Sequence, residues 1–91
     1  MRTTVLGAGT MGHGIAQVSA QAGHEVVLRD IEESLVEDGI EGIESNLQGA
    51  VDRDIITADE KAAALDRITG MTDLEAAVED VDMVVEAVPE D

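Results

Sequence analysis

Three glycines, Gly7, Gly9 and Gly12, and one acid, Asp30, are the residues of this 91-residue chain whose types and spacing carry chemistry. Gly7-Ala8-Gly9-Thr10-Met11-Gly12 follows the run Thr3-Thr4-Val5-Leu6 and precedes a helix-like stretch. A glycine at position 7 lets the chain turn sharply out of a strand. At position 9 the missing Cβ lets a pyrophosphate approach the backbone, and at position 12 it lets the next helix pack closely on the strand. The free N–H groups of that helix's first turn, Thr10 and Met11 included, and the positive end of its dipole form a site for two phosphates. Asp30 ends a second apolar run, within the spacing of roughly 20 residues that a ribose-binding acid takes after such a turn. Its carboxylate would accept hydrogen bonds from the adenosine ribose hydroxyls and repel a 2′-phosphate, which favours NAD over NADP. Arg29 could hold such a phosphate, but successive strand residues point to opposite faces. If Asp30 faces the ribose, Arg29 points away.

A glycine-rich turn that binds nothing is the plain alternative, and a G-x-G-x-x-G alone is weak evidence against it. Here strand, glycines, helix and acid agree. An FAD site uses a similar fingerprint, with a glutamate expected at the Asp30 position.

The elements that must position these residues follow from hydrophobic period and capping. Thr3 to Leu6 reads as a central strand of a parallel sheet. Met11 to Gln21 reads as a helix offering Ile15, Ala16, Val18, Ser19 and Ala22 to that sheet, closed by Gly23 in a left-handed cap. Glu25 to Arg29 is the second strand. Leu35 or Val36, Ile40, Ile43, Leu47 and Val51 recur at three and four, so Glu32 to Arg53 reads as a long amphipathic helix with Glu37, Asp38, Glu41 and Glu44 outside. Gly39, Gly42 and Gly49 each weaken it by about 1 kcal/mol relative to alanine, so tertiary packing must hold it. Thr57-Ala58-Asp59-Glu60 is a capping box opening a helix to about Arg67, and Thr72-Asp73-Leu74-Glu75 repeats the device. Ile68 to Met71 is a weak third strand and Asp82 to Val88 a stronger fourth. The order β-α-β-αα-β-α-β demands an α/β fold with a doubly wound, right-handed parallel sheet, strand order 3-2-1-4.

Composition bounds the rest. One small domain is expected, burying about 60–65% of its unfolded surface. With no Phe, Tyr or Trp, its core must come from Val, Ile, Leu, Met and Ala. The absence of cysteine excludes disulfides and thiolate chemistry. No basic-then-apolar leader opens the sequence and no apolar run approaches the ~20 residues that span a bilayer, so a cytoplasmic protein is expected. Asp and Glu number 21 against five Lys and Arg, a net charge of −16, which argues against nucleic acid or an anionic membrane as partner. The acids are dispersed from Glu25 to Asp91 and Lys61 is the single lysine. That pattern predicts a salt-adapted, halophilic surface whose self-repulsion makes the fold depend on salt.

Three segments together resemble one family: Val5 to Gln17 (VLGAGTMGHGIAQ), Ala22 to Asp30 (AGHEVVLRD) and Val84 to Glu90 (VVEAVPE). They are similar to the NAD-binding, Rossmann-like domain of the 3-hydroxyacyl-CoA dehydrogenases, 3-hydroxybutyryl-CoA dehydrogenase included. The resemblance covers essentially the whole chain and includes the helical insertion before the third strand. It implies NAD as cofactor, with Gly9 to Gly12 on the pyrophosphate, Asp30 on the adenosine ribose, and Ala87, Val88 and Glu90 on the nicotinamide side. By itself Glu90 reads as one more solvated acid.

The activity implied is reversible hydride transfer between NAD and the 3-hydroxy group of an acyl-CoA. By the same resemblance the histidine base, its orienting glutamate and the helical substrate domain fall beyond the equivalent of Asp91. Acyl-CoA is thus expected as a partner of the intact protein, and the 91 residues alone are expected to be catalytically incompetent. His13 and His24 read as structural or solvent-facing, because neither has a partner set suited to general-base chemistry. The resemblance also implies that residues 1–91 are a fragment of the Rossmann domain, whose C-terminal half would pair a further strand beside 82–88, so an uncovered apolar edge and self-association through it are expected. A dinucleotide-sensing regulatory module and an engineered minimal scaffold remain the alternatives at this point.

Overall fold

The computed structural model describes residues 1–87. Its elements run β1 (Arg2–Leu6), α1 (Thr10–Gln21), β2 (Glu25–Arg29), α2 (Glu33–Asp52), α3 (Ala58–Asp66), β3 (Ile68–Met71), α4 (Leu74–Val78) and β4 (Met83–Glu86). The four strands form one parallel sheet in the order β3-β2-β1-β4, as the element order requires. β1 is central, with Thr4 beside Val27 on one flank and Val84 on the other.

Alternation along the strands sends Val5, Val26 and Leu28 to one face. There they pack in a single cluster with Ala16 and Ala20 of α1, Ile43 and Leu47 of α2 and Ala64 of α3. Small residues on α1 let that helix lie close to the sheet, while α2 supplies the bulk. On the opposite face the Thr4 hydroxyl donates to the carbonyl of Ala77, which ties the five-residue α4 across β1. This second face is thinly covered, and Val84 is left 44% exposed.

Helix ends follow local chemistry. Gly23 takes φ +98° after α1, and the N–H groups of Gly23 and His24 donate to Ala20 and Ser19 at 3.1 Å each, the two bonds of a Schellman cap. At α3 the capping box forms on both sides, Glu60 N–H to Thr57 Oγ1 at 3.1 Å and Thr57 N–H to Glu60 Oε1 at 3.0 Å.

Several expectations need correction. Val18 is 66% exposed and Ala22 is also outside, because the inward stripe of α1 runs through Gly12, Ala16 and Ala20 at four-residue spacing. On α2 it is Val36 that is buried, while Leu35 is 39% exposed. The cap of α4 is Asp73, whose carboxylate accepts the N–H of Ala76 at 3.3 Å, so the helix begins one residue later than a cap at Thr72 implies. Among the described residues the fourth strand is shorter than expected, running from Met83 to Glu86.

Candidate dinucleotide-binding site

The site lies where β1 gives way to α1. Gly7 sits at φ +108°, a backbone region that side chains with a Cβ rarely enter, and its N–H donates to the Arg29 carbonyl at 2.7 Å. The turn is thereby bonded to the end of β2. A Cβ built on Gly12 would lie 1.6 Å from the Gly7 carbonyl oxygen, so the close approach of α1 to the turn requires glycine there. On Gly9 a Cβ would meet nothing within 4 Å. That glycine borders open space.

Gly9 is the N-cap of α1 and offers no side chain to its own helix. The first backbone bond of the helix runs from His13 N–H to Gly9 C=O at 2.9 Å, so the N–H groups of Thr10, Met11 and Gly12 precede the ladder. No acid lies in that first turn to compete for them. An anion is the group that matches such a terminus. Met11, 68% exposed, leaves a large apolar side chain beside it.

Asp30 closes the arrangement from β2. Its Oδ2 accepts the N–H of Ala8 at 2.8 Å and its Oδ1 accepts the N–H of Ile31 at 2.7 Å. The carboxylate is fixed beside the turn, and each oxygen keeps a lone pair that can accept a further hydrogen bond. Arg29 points elsewhere: its Nε donates to the Thr72 carbonyl at 2.9 Å. Ala87, at the end of β4, is buried, donates its N–H to the Leu6 carbonyl at 2.8 Å, and has its Cβ 3.5 Å from the position a Cβ on Gly12 would take. The structure therefore gathers Gly7, Gly9, Thr10, Met11, Gly12, Asp30 and Ala87 at one end of the sheet. Val88 and Glu90 lie outside the described residues.

Over the whole described length the fit is to one family. Residues 2–91 match the family model of the 3-hydroxyacyl-CoA dehydrogenase NAD-binding domain. The chain belongs to that family. The 3-hydroxybutyryl-CoA dehydrogenase of Mycobacterium tuberculosis is 43% identical over 90 residues, which are 99% of this chain and 31% of that protein. The 3-hydroxyadipyl-CoA dehydrogenase of Escherichia coli is 41% identical over 86 residues, 94% of this chain and 18% of that one. Among solved structures, (S)-3-hydroxybutyryl-CoA dehydrogenase from Ralstonia eutropha superposes with a TM-score of 0.95 at 38% identity, covering 99% of this chain and 31% of that one. The chain thus spans less than a third of the length of these relatives. NAD is the cofactor of this dehydrogenase family's domain, and the open space at Gly9 with the first-turn N–H groups that precede the ladder suits its diphosphate.

Sequence reasoning named Gly39 and Gly42 of this dehydrogenase domain as weak points of a helix and missed that they admit close neighbours behind the turn. A Cβ on Gly39 would lie 2.8 Å from the Ala8 carbonyl oxygen and 3.2 Å from Leu28 Cδ2, and one on Gly42 would lie 3.0 Å from His13 Nε2. Their signal was present as two glycines inside a helix, which mark close approach as readily as weakness.

Proposed function

We propose that this chain is the cofactor-holding part of an oxidoreductase that moves a hydride between NAD and the 3-hydroxy group of a 3-hydroxyacyl-CoA. The observation that carries the reading is the pairing of an acid-free helix N-terminus, opened by Gly9, with the Asp30 carboxylate bonded to the same turn. In this reading the N–H groups of Gly9 to Gly12 receive the diphosphate and Asp30 receives the adenosine ribose. Ala87, with Val88 and Glu90 after it, approaches the nicotinamide side. NAD supplies the hydride acceptor. The chain's own residues bind and orient it, and none of those described is assigned to proton transfer. His24 lies in the turn between α1 and β2, away from the glycine turn, and His13 packs against α2. Acyl-CoA is the proposed substrate of the whole protein. Calorimetric titration with NAD tests the reading: Asp30→Ala is expected to weaken binding at least tenfold, and unchanged binding overturns the ribose assignment.

We further propose that the surface is salt-adapted. In support, Arg29, Lys61 and Arg67 donate to neutral acceptors, the Thr72 carbonyl, Gln48 Oε1 and the Ala20 carbonyl, which leaves the acidic excess uncancelled at these positions. Screening shortens to about 3 Å at 1 M salt, which would relieve the repulsion. The melting midpoint is expected to rise between low and molar KCl, and a midpoint that does not move sinks the proposal.

Self-association of the 91-residue species through β4 is proposed on the 47% and 44% exposure of Met83 and Val84 at an edge whose sole described neighbour is β1. Light scattering at the monomer mass, with fast amide exchange along β4, would contradict it. A cytoplasmic location is proposed as well. No helix among the described residues is long and apolar enough to cross a membrane, and relatives include bacterial proteins beside mitochondrial and peroxisomal ones. Fractionation of the source cells tests it.

A further inference from the structure

Ala8, between the first two glycines, is the one residue of the turn whose backbone is approached from three elements. Its N–H is taken by Asp30 Oδ2 at 2.8 Å, from the end of β2. Its carbonyl oxygen faces His13 Nδ1 of α1 at 3.4 Å. Behind the same carbonyl stands Gly39 of α2, where a Cβ would sit 2.8 Å from the oxygen and 3.0 Å from the Ala8 Cβ. The His13 ring is itself held, because its Nε2 edge enters the space left by Gly42 one turn further along α2, where a Cβ would lie 3.0 to 3.3 Å from three ring atoms. Ala8, Gly9, Thr10, His13 and Gly39 line one small cleft of about 230 Å³ between the turn and α2.

These contacts divide the work of shaping the turn. Gly7 and Gly12 permit the conformation, but permission does not select one, since glycine is the residue with the most backbone freedom to lose. Selection needs bonds or walls from outside the turn. Asp30 supplies a bond on the donor side of Ala8, and a proton on His13 Nδ1 supplies one on the acceptor side. Gly42 supplies the notch that keeps the ring in place.

We propose that His13 is a positioning residue for NAD binding: seated in the Gly42 notch, it holds the Ala8 carbonyl and so fixes the turn whose N–H groups meet the diphosphate. It touches no reacting atom. Its effect passes through Ala8, so cofactor affinity should respond to Gly42 of α2, which is not among the residues lining the cleft at the turn. The inference rests on the NAD-binding reading for its functional half alone, since the clamp on Ala8 is a property of the turn.

The experiment is a double-mutant cycle on His13→Ala and Gly42→Ala, read by calorimetry with NAD and by exchange of the bonded turn amides of Gly7, Ala8 and His13, with β1 amides as the measure of global stability. Losing a hydrogen bond of this length, at the weak end of the range, corresponds to about a two- to threefold weaker Kd. That is the expected effect of His13→Ala, together with faster exchange in the turn but not in β1. Gly42→Ala is expected to weaken binding when His13 is present, by displacing the ring. In the His13→Ala background it should leave binding unchanged and raise the melting midpoint, because alanine is the better helix former. His13→Asn, which keeps a short donor, should restore part of the loss. Turn amides that exchange at the parent rate in His13→Ala overturn the clamp, and additive effects of the two substitutions on affinity overturn the link through Gly42. If the turn loosens as expected but the parent chain does not bind NAD, the clamp stands and the NAD assignment falls.

Discussion

The Cα of Gly12 faces the carbonyl oxygen of Gly7 so closely that a Cβ would lie 1.6 Å from it, with the carbonyl carbon at 2.7 Å. Both obstructing atoms are backbone, so no side-chain rotation relieves the overlap. Gly12→Ala must therefore move α1 off β1 or abandon the turn, a cost of about 4 kcal/mol or more, at the high end for single substitutions. Circular dichroism melts and NAD calorimetry should show loss of cooperative unfolding or of binding. Gly14→Ala, two residues on and free of neighbours within 4 Å, is the matched control and should be tolerated.

Asp30 and Arg29 divide between two faces, and that division sets how cofactor choice responds to substitution. With Asp30 at the ribose as proposed, replacing it would remove the repulsion against a 2′-phosphate, yet Arg29 stays bonded to the Thr72 carbonyl and brings no positive charge to the vacated place. Asp30→Ala is expected to lose NAD affinity without a matching gain for NADP. Titrations with both cofactors check this, and an NADP affinity equal to the parent's for NAD would show that Arg29 had turned round.

Two glycines of α2 should answer an alanine substitution with opposite signs. Gly49 has no neighbour within 4 Å of a built Cβ, so Gly49→Ala should stabilise by about 0.5–1 kcal/mol through helix propensity. In a domain of this size that raises the melting midpoint by roughly 4 °C. Gly39→Ala meets the Ala8 carbonyl at 2.8 Å and should lower the midpoint. Thermal melts of the two variants side by side decide it.

The start of α4 offers a fourth test. Asp73 accepts the Ala76 N–H, whereas the Thr72 carbonyl serves Arg29. Asp73→Ala should cost about 1 kcal/mol, in the range of lost N-caps, and Thr72→Ala much less. Denaturant melts giving equal losses would return the cap to Thr72.

The glycine turn and Asp30 were legible in the sequence because each position is dictated by the backbone beside it. Element order then determined the sheet, since few topologies accommodate β-α-β-αα-β-α-β. What stayed hidden is what depends on neighbours distant in sequence. Val18 looked inward by composition, but the rotation of α1 is set by Gly12, Ala16 and Ala20 meeting the sheet. Gly39 and Gly42 were visible as weak points of a helix, while the carbonyl and the imidazole they admit come from residues more than 25 positions earlier. Thr72 and Asp73 are both good caps, and short-range pattern alone could not choose between them.

The central strand carries a further consequence, for how the molecule is made. β1 leads the chain yet pairs with β4 at its far end, Thr3 beside Met83, and the Arg2 N–H reaches the Asp82 carboxylate at 2.8 Å across a separation of 80 residues. Loops of that length close slowly, because chain entropy is lost before the contact is gained. During synthesis the β1-α1-β2 unit is the first that can begin to form, but Gly39 and Gly42 of α2, which wall the turn, and Ala87, which packs beside Gly12, arrive later. The flank of β1 that receives β4 must wait for residues 83–86, so the phosphate-binding end, to which Ala87 belongs, is among the last parts of the described fold to be shaped.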